Sequence, residues 1–182
     1  MRNIYFLLTR SGTFLSRLIG LTTTEDYTHV SIGLDEDRCH FYSFGRRNPN
    51  RPLPAGLVKE ELSNGFFALH PDMPCALYRL SVNCETYAVL QRQLEVMVAE
   101  ADRYHYNLLG LICCLLAIPH SRSNHFFCSQ FVGTLLKKSG YLSLPRHASL
   151  LHPCDFAALP GAELCYSGRI RGLCALAAVD AA

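Results

Sequence analysis

The stretch from Asn124 to Gly140 limits what this chain can fold into more than any other. Phe131, Val132, Leu135 and Leu136 recur at the three-and-four spacing of one helical face, so the segment must lay that face against a larger apolar surface. Lys137 and Lys138 suit the negative end of such a helix, and Gly140 supplies its stop. Cys128 falls in the first turn, near the positive end of the macrodipole and near backbone N–H groups without helical partners. That position favours thiolate over thiol, and the thiolate is the reactive form. Cys128 is therefore the candidate nucleophile. A cysteine on an apolar helix face is more often a small buried hydrophobe, so the reactive reading needs a partner elsewhere in the chain.

Composition narrows the classes. At 182 residues, with 49% hydrophobic and 18% charged residues, the chain is expected to form a single domain over 1–182. A net charge of +2 does not argue for nucleic acid, and the densest basic patch, Arg46, Arg47 and Arg51, reads as a solvated loop. Nine cysteines, with no C-x-x-C pair and a vicinal Cys113-Cys114, fit neither a zinc site nor a disulfide framework. Reduced thiols point to a cytoplasmic protein. Ile4 to Leu8 is too short for a signal-peptide core, and Leu108 to Ile118 is about half a membrane span, so no integral membrane segment is expected.

Along the chain, Asn3 to Thr9 reads as a buried strand and residues 13–21 as a short helix. Tyr27 to Leu34 alternates, with Val30, Ile32 and Leu34 on one side and His29, Ser31 and the glycine of position 33 on the other. A polar turn at 35–38 should return the chain as a second strand, Cys39 to Phe44. Gly45 to Gly56, with three prolines, reads as an irregular loop. Leu57-Val58 and Phe66 to Leu69 are weaker strands flanking an Asn64-Gly65 turn, and Cys75 to Val82 is a further strand. Asn83 caps a helix running to about Tyr104. Leu108 to Ile118 should be a buried helix ending at Pro119. Glu163 to Ile170 could be a last strand, ahead of a small-residue tail from Gly172. The economical sum is an α+β domain.

A cysteine nucleophile needs a base, and histidine is the natural one at neutral pH. Of eight histidines, His70, His120, His125, His147 and His152 lie in loops and His105 at a helix end. His29 opens a strand that would fix its direction.

Tyr27-Thr-His29-Val-Ser-Ile-Gly-Leu34, followed about ninety residues later by Phe127-Cys128-Ser-Gln-Phe-Val, resembles the circularly permuted branch of the NlpC-type papain-like superfamily. That branch includes YiiX-like amidases and the lecithin retinol acyltransferase group, and in it the histidine precedes the cysteine, as here. The resemblance implies an antiparallel sheet packed against helices, with the histidine facing the thiol. It implies a cysteine-dependent hydrolase, an amidase or peptidase, working on a small peptide, amide or lipid-ester substrate without metal or cofactor. A lipid acyltransferase and a non-catalytic binding module on the same fold are the alternatives. The resemblance places the group that orients the histidine at Ser43, where relatives carry His or Glu. His40 is the chemically stronger orienter nearby, and Glu60 or Glu61 could reach in from the neighbouring segment.

Overall fold

The computed structural model describes residues 1–10, 26–34, 39–48, 51–141 and 143–180. Its strands are β1 (Arg2–Thr9), β2 (His29–Leu34), β3 (His40–Asn48), β4 (Arg51–Glu61), β5 (Pro74–Val82), β6 (His105–Tyr106), β7 (His125–Phe126) and β8 (Ala162–Arg169). Its α-helices are α1 (Gly65–Leu69), α2 (Cys84–Ala99), α3 (Leu108–Leu115), α4 (Cys128–Lys138) and α5 (Ile170–Asp180). Six strands make one antiparallel sheet in the order β4-β3-β2-β1-β5-β8, and β6 and β7 form a short parallel pair. The fold is α+β, with the antiparallel sheet packed against helices.

Helices cover both faces of the central strand. Ile4, Phe6 and Leu8 of β1 join Val30, Ile32, Leu90, Leu94 and the α4 residues Phe131, Val132, Leu135 and Leu136 in the main core. Tyr5 and Leu7, pointing the other way by strand alternation, pack with Phe67 of α1 and Ile170, Leu173 and Ala177 of α5. That two-sided burial is why Ile4 to Leu8 reads as an unbroken apolar run. The apolar face of α4 is buried as its spacing requires. Its end is a Schellman stop: Gly140 has φ +88°, its N–H donates to the Lys137 carbonyl, and the Tyr141 N–H donates to Leu136.

Several expectations change. The Gly45–Gly56 segment contributes to the β3–β4 hairpin rather than an irregular loop, with Pro52 and Pro54 lying in β4. As the edge strand, β4 tolerates residues that cannot donate to a ladder. Phe66 to Leu69 is helical, capped by the Asn64 side chain accepting from the Gly65 N–H at 2.7 Å. The helix from Asn83 ends at Ala99, followed by a single tight turn over Ala101–Arg103. The small-residue tail is the helix α5, since Ala and Leu favour helix and Ile170, Leu173 and Ala177 share a buried face. Leu108 to Ile118 is not buried all round; only Gly110, Leu111 and Cys114 of α3 are covered. A uniformly apolar segment carries no periodicity to say which side faces out. The helix read at 13–21 and the turn at 35–38 lie outside the described residues. Among the described residues no helix is long and apolar enough to cross a membrane.

Candidate active site

Cys128 is the first residue of α4. The residue before it, Phe127, has extended backbone (φ −104°, ψ 169°) and makes no side-chain cap, so the first-turn N–H groups are left for another acceptor. Phe127 is buried against Leu111 and Cys114 of α3, which fixes where the helix starts. Ser129 donates to the Leu151 carbonyl at 2.6 Å. Gln130 accepts from Asn107 Nδ2 at 3.1 Å, while the Asn107 carbonyl oxygen caps α3 by accepting from the Gly110 N–H at 3.0 Å. The polar residues after the cysteine are thus structural: they fasten the start of α4 to the segments on either side.

His29 begins β2, paired with Thr9 at the end of β1. Its Nε2 lies 3.0 Å from Glu60 Oε1 and 3.3 Å from Oε2. Ser31, wholly buried and two residues along the same strand, donates its hydroxyl to Glu60 Oε2 and stands 3.3 Å from His29 Nε2. The Glu60 side chain is only 12% exposed, so little water competes for it. With Nε2 held by the carboxylate, Nδ1 is the ring nitrogen left for the thiol, and the Cys128 sulfur lies near enough to the imidazole for each to shift the pKa of the other. An added Cβ at position 45 would stand 3.5 Å from Glu60 Oε1 and 3.8 Å from His29 Cε1; Gly45 keeps that space open.

The electrostatics follow from these contacts. Burial alone pushes the Cys128 thiol up, because a thiolate loses its water. The His29 hydrogen bond and positive charge, with backbone N–H groups of Val30 and Ser129, outweigh burial and leave the thiol below its ordinary range. Burial likewise disfavours the imidazolium, but the Glu60 charge and the contact with Cys128 overcome it and raise His29 well above its usual value. Each group favours the charged form of the other, which shifts the pair toward thiolate–imidazolium. Tyr106 adds a further group: burial and the neighbouring sulfur keep its phenol protonated, so it stays a donor.

Ser43 does not occupy the orienting position. Its hydroxyl donates to the Val30 carbonyl at 2.7 Å and is fully buried, so it braces the β2 strand next to His29 rather than the imidazole. His40 is paired with Glu61, Nε2 to Oε1 at 3.1 Å. Glu60 is the carboxylate on His29. Its register opposite Phe41 in the β3–β4 ladder brings it there, and a segment read as an irregular loop followed by a weak strand offers no such register. Ser31, which strand alternation puts on the face of His29, is the second residue at the carboxylate, and nothing in its local spacing marks that role. Ser43→Ala should lower stability by about 1 kcal/mol, through loss of one buried hydrogen bond, and leave the alkylation rate of Cys128 within about twofold. A thermal melt and an iodoacetamide time course on the same preparation check both halves.

Among the described residues no group of three or more His, Cys, Asp or Glu side chains is arranged to hold a metal ion. Compared with known proteins, the chain matches no family model, and no curated protein is significantly similar to it.

Proposed function

We propose that this chain is a cysteine-dependent hydrolase, an amidase or peptidase by reaction class, in which Cys128 is the nucleophile, His29 the base and Glu60 the group that orients the base. The observation that carries the reading is His29 Nε2 at 3.0 Å from Glu60, with the Cys128 sulfur near enough for the imidazole to lower its pKa. A nucleophile, a base and a carboxylate behind the base make the arrangement that activates thiols and hydroxyls for acyl transfer. The order of the two blocks, histidine on a strand and cysteine later on a helix, supports the resemblance to the permuted papain-like branch.

The thiolate attacks the carbonyl carbon of an amide or ester, forming the C–S bond while the carbonyl π pair moves to oxygen. The Cys128 backbone N–H at the start of α4 and the protonated Tyr106 phenol, which feels the charge of the sulfur, are the donors assigned to that oxyanion. As the tetrahedral adduct collapses, the imidazolium of His29 gives its proton to the leaving amine or alkoxide. Water then attacks the thioester, His29 takes its proton, and the acid leaves with Cys128 again a thiolate. An acceptor alcohol or amine in place of water would make the same chemistry a transfer. An uncharged group behind the imidazole would favour a non-catalytic module on the same fold; the carboxylate on His29 favours the catalytic reading.

A p-nitrophenyl ester of a short acyl chain tests the reading. A burst of nitrophenol together with an acyl mass on the peptide containing Cys128, both lost in Cys128→Ala, is the expected result. A native protein that gives neither burst nor adduct rejects it.

A further inference from the structure

A buried polar group without a hydrogen-bond partner costs free energy, and few persist in a folded protein. The Thr9 hydroxyl is one of them. Thr9 closes β1, is 1% exposed, and its Oγ1 has no hydrogen-bond partner among the described residues. The backbone there is in order, since the Thr9 carbonyl accepts from the Thr28 N–H at 3.0 Å. Only the side chain is left over. A valine of the same shape would lose no hydrogen bond at this position, so the hydroxyl points to a polar ligand that the protein takes up.

Strand register says where that ligand would sit. Thr9 is the direct antiparallel partner of His29, and Leu7 of Ser31, so Thr9, His29 and Ser31 share one face of the sheet. Direct partners carry their Cβ atoms about 5 Å apart. The imidazole makes no use of the hydroxyl: its Nε2 is held by Glu60 at 3.0 Å, and Ser31 donates to the same carboxylate. Nδ1 is the ring nitrogen nearer the backbone, and a threonine hydroxyl is equally close to its own. A gap of that width between them takes one oxygen atom, hydrogen-bonded to each side at about 2.8 Å.

We propose that Thr9 is a positioning residue for the water that releases the acyl group, its hydroxyl holding that water against His29 once the leaving group has gone. The proposal rests on the acyl-transfer reading and deepens it toward hydrolysis. After the imidazolium has given its proton to the leaving group, Nδ1 is an acceptor again. One hydrogen of the water then goes to Nδ1 and the other to Thr9 Oγ1, which leaves an oxygen lone pair for the thioester carbonyl. The C–O bond forms as His29 takes the proton. The C–S bond breaks with its electron pair returning to sulfur, so the acid departs and Cys128 is again a thiolate. Thr9 exchanges no proton in this sequence; it fixes where the water stands.

Rapid-mixing kinetics with the p-nitrophenyl ester separate the two halves of the reaction. The burst reports acylation, and hence the acyl-transfer reading, while the steady rate that follows reports release by water. Thr9→Val should leave the burst within about twofold and lower the steady rate by about tenfold, through loss of one hydrogen bond to the reacting water. Acyl mass on the Cys128 peptide should persist correspondingly longer. Thr9→Ser keeps the hydroxyl and should stay within about threefold of the parent. Hydroxylamine, a stronger nucleophile than water, should restore release in Thr9→Val. The thermal melt of Thr9→Val should be unchanged or higher, because no internal hydrogen bond is lost. Thr28→Val removes a second buried and unbonded hydroxyl, one that the register does not set opposite the imidazole, and should match the parent in both phases. A parent without a burst rejects the acyl-transfer reading and this role with it. A normal burst with an unchanged steady rate in Thr9→Val, a burst and steady rate that fall together, or the same slowing in Thr28→Val, rejects the role of Thr9 and leaves the reading standing.

Discussion

Replacing His29 with alanine should slow alkylation of Cys128 at neutral pH by about 10- to 100-fold, while the native protein reacts at Cys128 ahead of its other eight cysteines. The reason is the balance at the sulfur. Burial opposes the thiolate, and the imidazolium is the largest influence holding it in place. Without His29 the burial penalty is met only by the N–H groups of Val30 and Ser129, and the thiol moves up from where the imidazole holds it. Cys75 is the internal comparison. It is buried with no cation, and burial pushes its thiol up to about 12, so it should stay unlabelled in the folded protein. Iodoacetamide labelling followed by peptide mass measurement against pH reads both. In the native protein the Cys128 rate should rise with pH through a midpoint below that of a free thiol, and in His29→Ala that midpoint should move up. Equal labelling of Cys128 in parent and variant would remove the imidazole from the account.

Glu60→Gln should reduce turnover of a substrate by about 10²- to 10⁴-fold while leaving the fold in place, the range expected when a base loses the carboxylate that orients it. Glutamine keeps the shape and removes the charge. The two pKa shifts then relax in opposite directions. His29 falls, because burial is no longer outweighed by the carboxylate, and Cys128 rises, because its neighbour is less often a cation. The proposed mechanism needs the thiolate and the imidazolium together, so the native pH profile should have a lower limb below the free-thiol range and an upper limb above the ordinary imidazole value of 6.5. In Glu60→Gln the lower limb should move up and the upper limb down, narrowing the window from both sides. A Glu60→Gln profile that coincides with the native one would show that the carboxylate does not act through His29.

The contrast between Ser43 and Glu60 shows where reading the chain as a string stops. His29 and Cys128 were legible because local rules act on them: an alternating strand fixes one, and the first turn of an amphipathic helix fixes the other. Glu60 lies thirty-one positions from His29, and no local period links them. Only the pairing of β4 with β3 places it, and that pairing runs through a segment whose prolines argue against a strand unless the strand is known to be an edge. Cooperation between Asn107 and Gln130 is hidden for the same reason, each looking like an ordinary polar residue until the buried hydrogen bond joins them.

α3 teaches the complementary lesson. Its composition says helix, and the helix is there, but an all-apolar run looks the same whether it is enclosed or laid open on one side. Which side is covered depends on what arrives from elsewhere, here Phe127 on one face. By itself the sequence determined the α+β class, the apolar face of the Cys128 helix, its stop at Gly140, and the two residues whose chemistry suits acyl transfer. The tertiary structure alone decided that Glu60 rather than Ser43 stands behind the imidazole, that Ser43 braces a strand, and that α3 turns half its surface outward. The physical reason is the same in each case. Short-range periodicity records the surface a residue needs, whereas the partner that supplies it comes through strand register and packing between segments far apart in the chain.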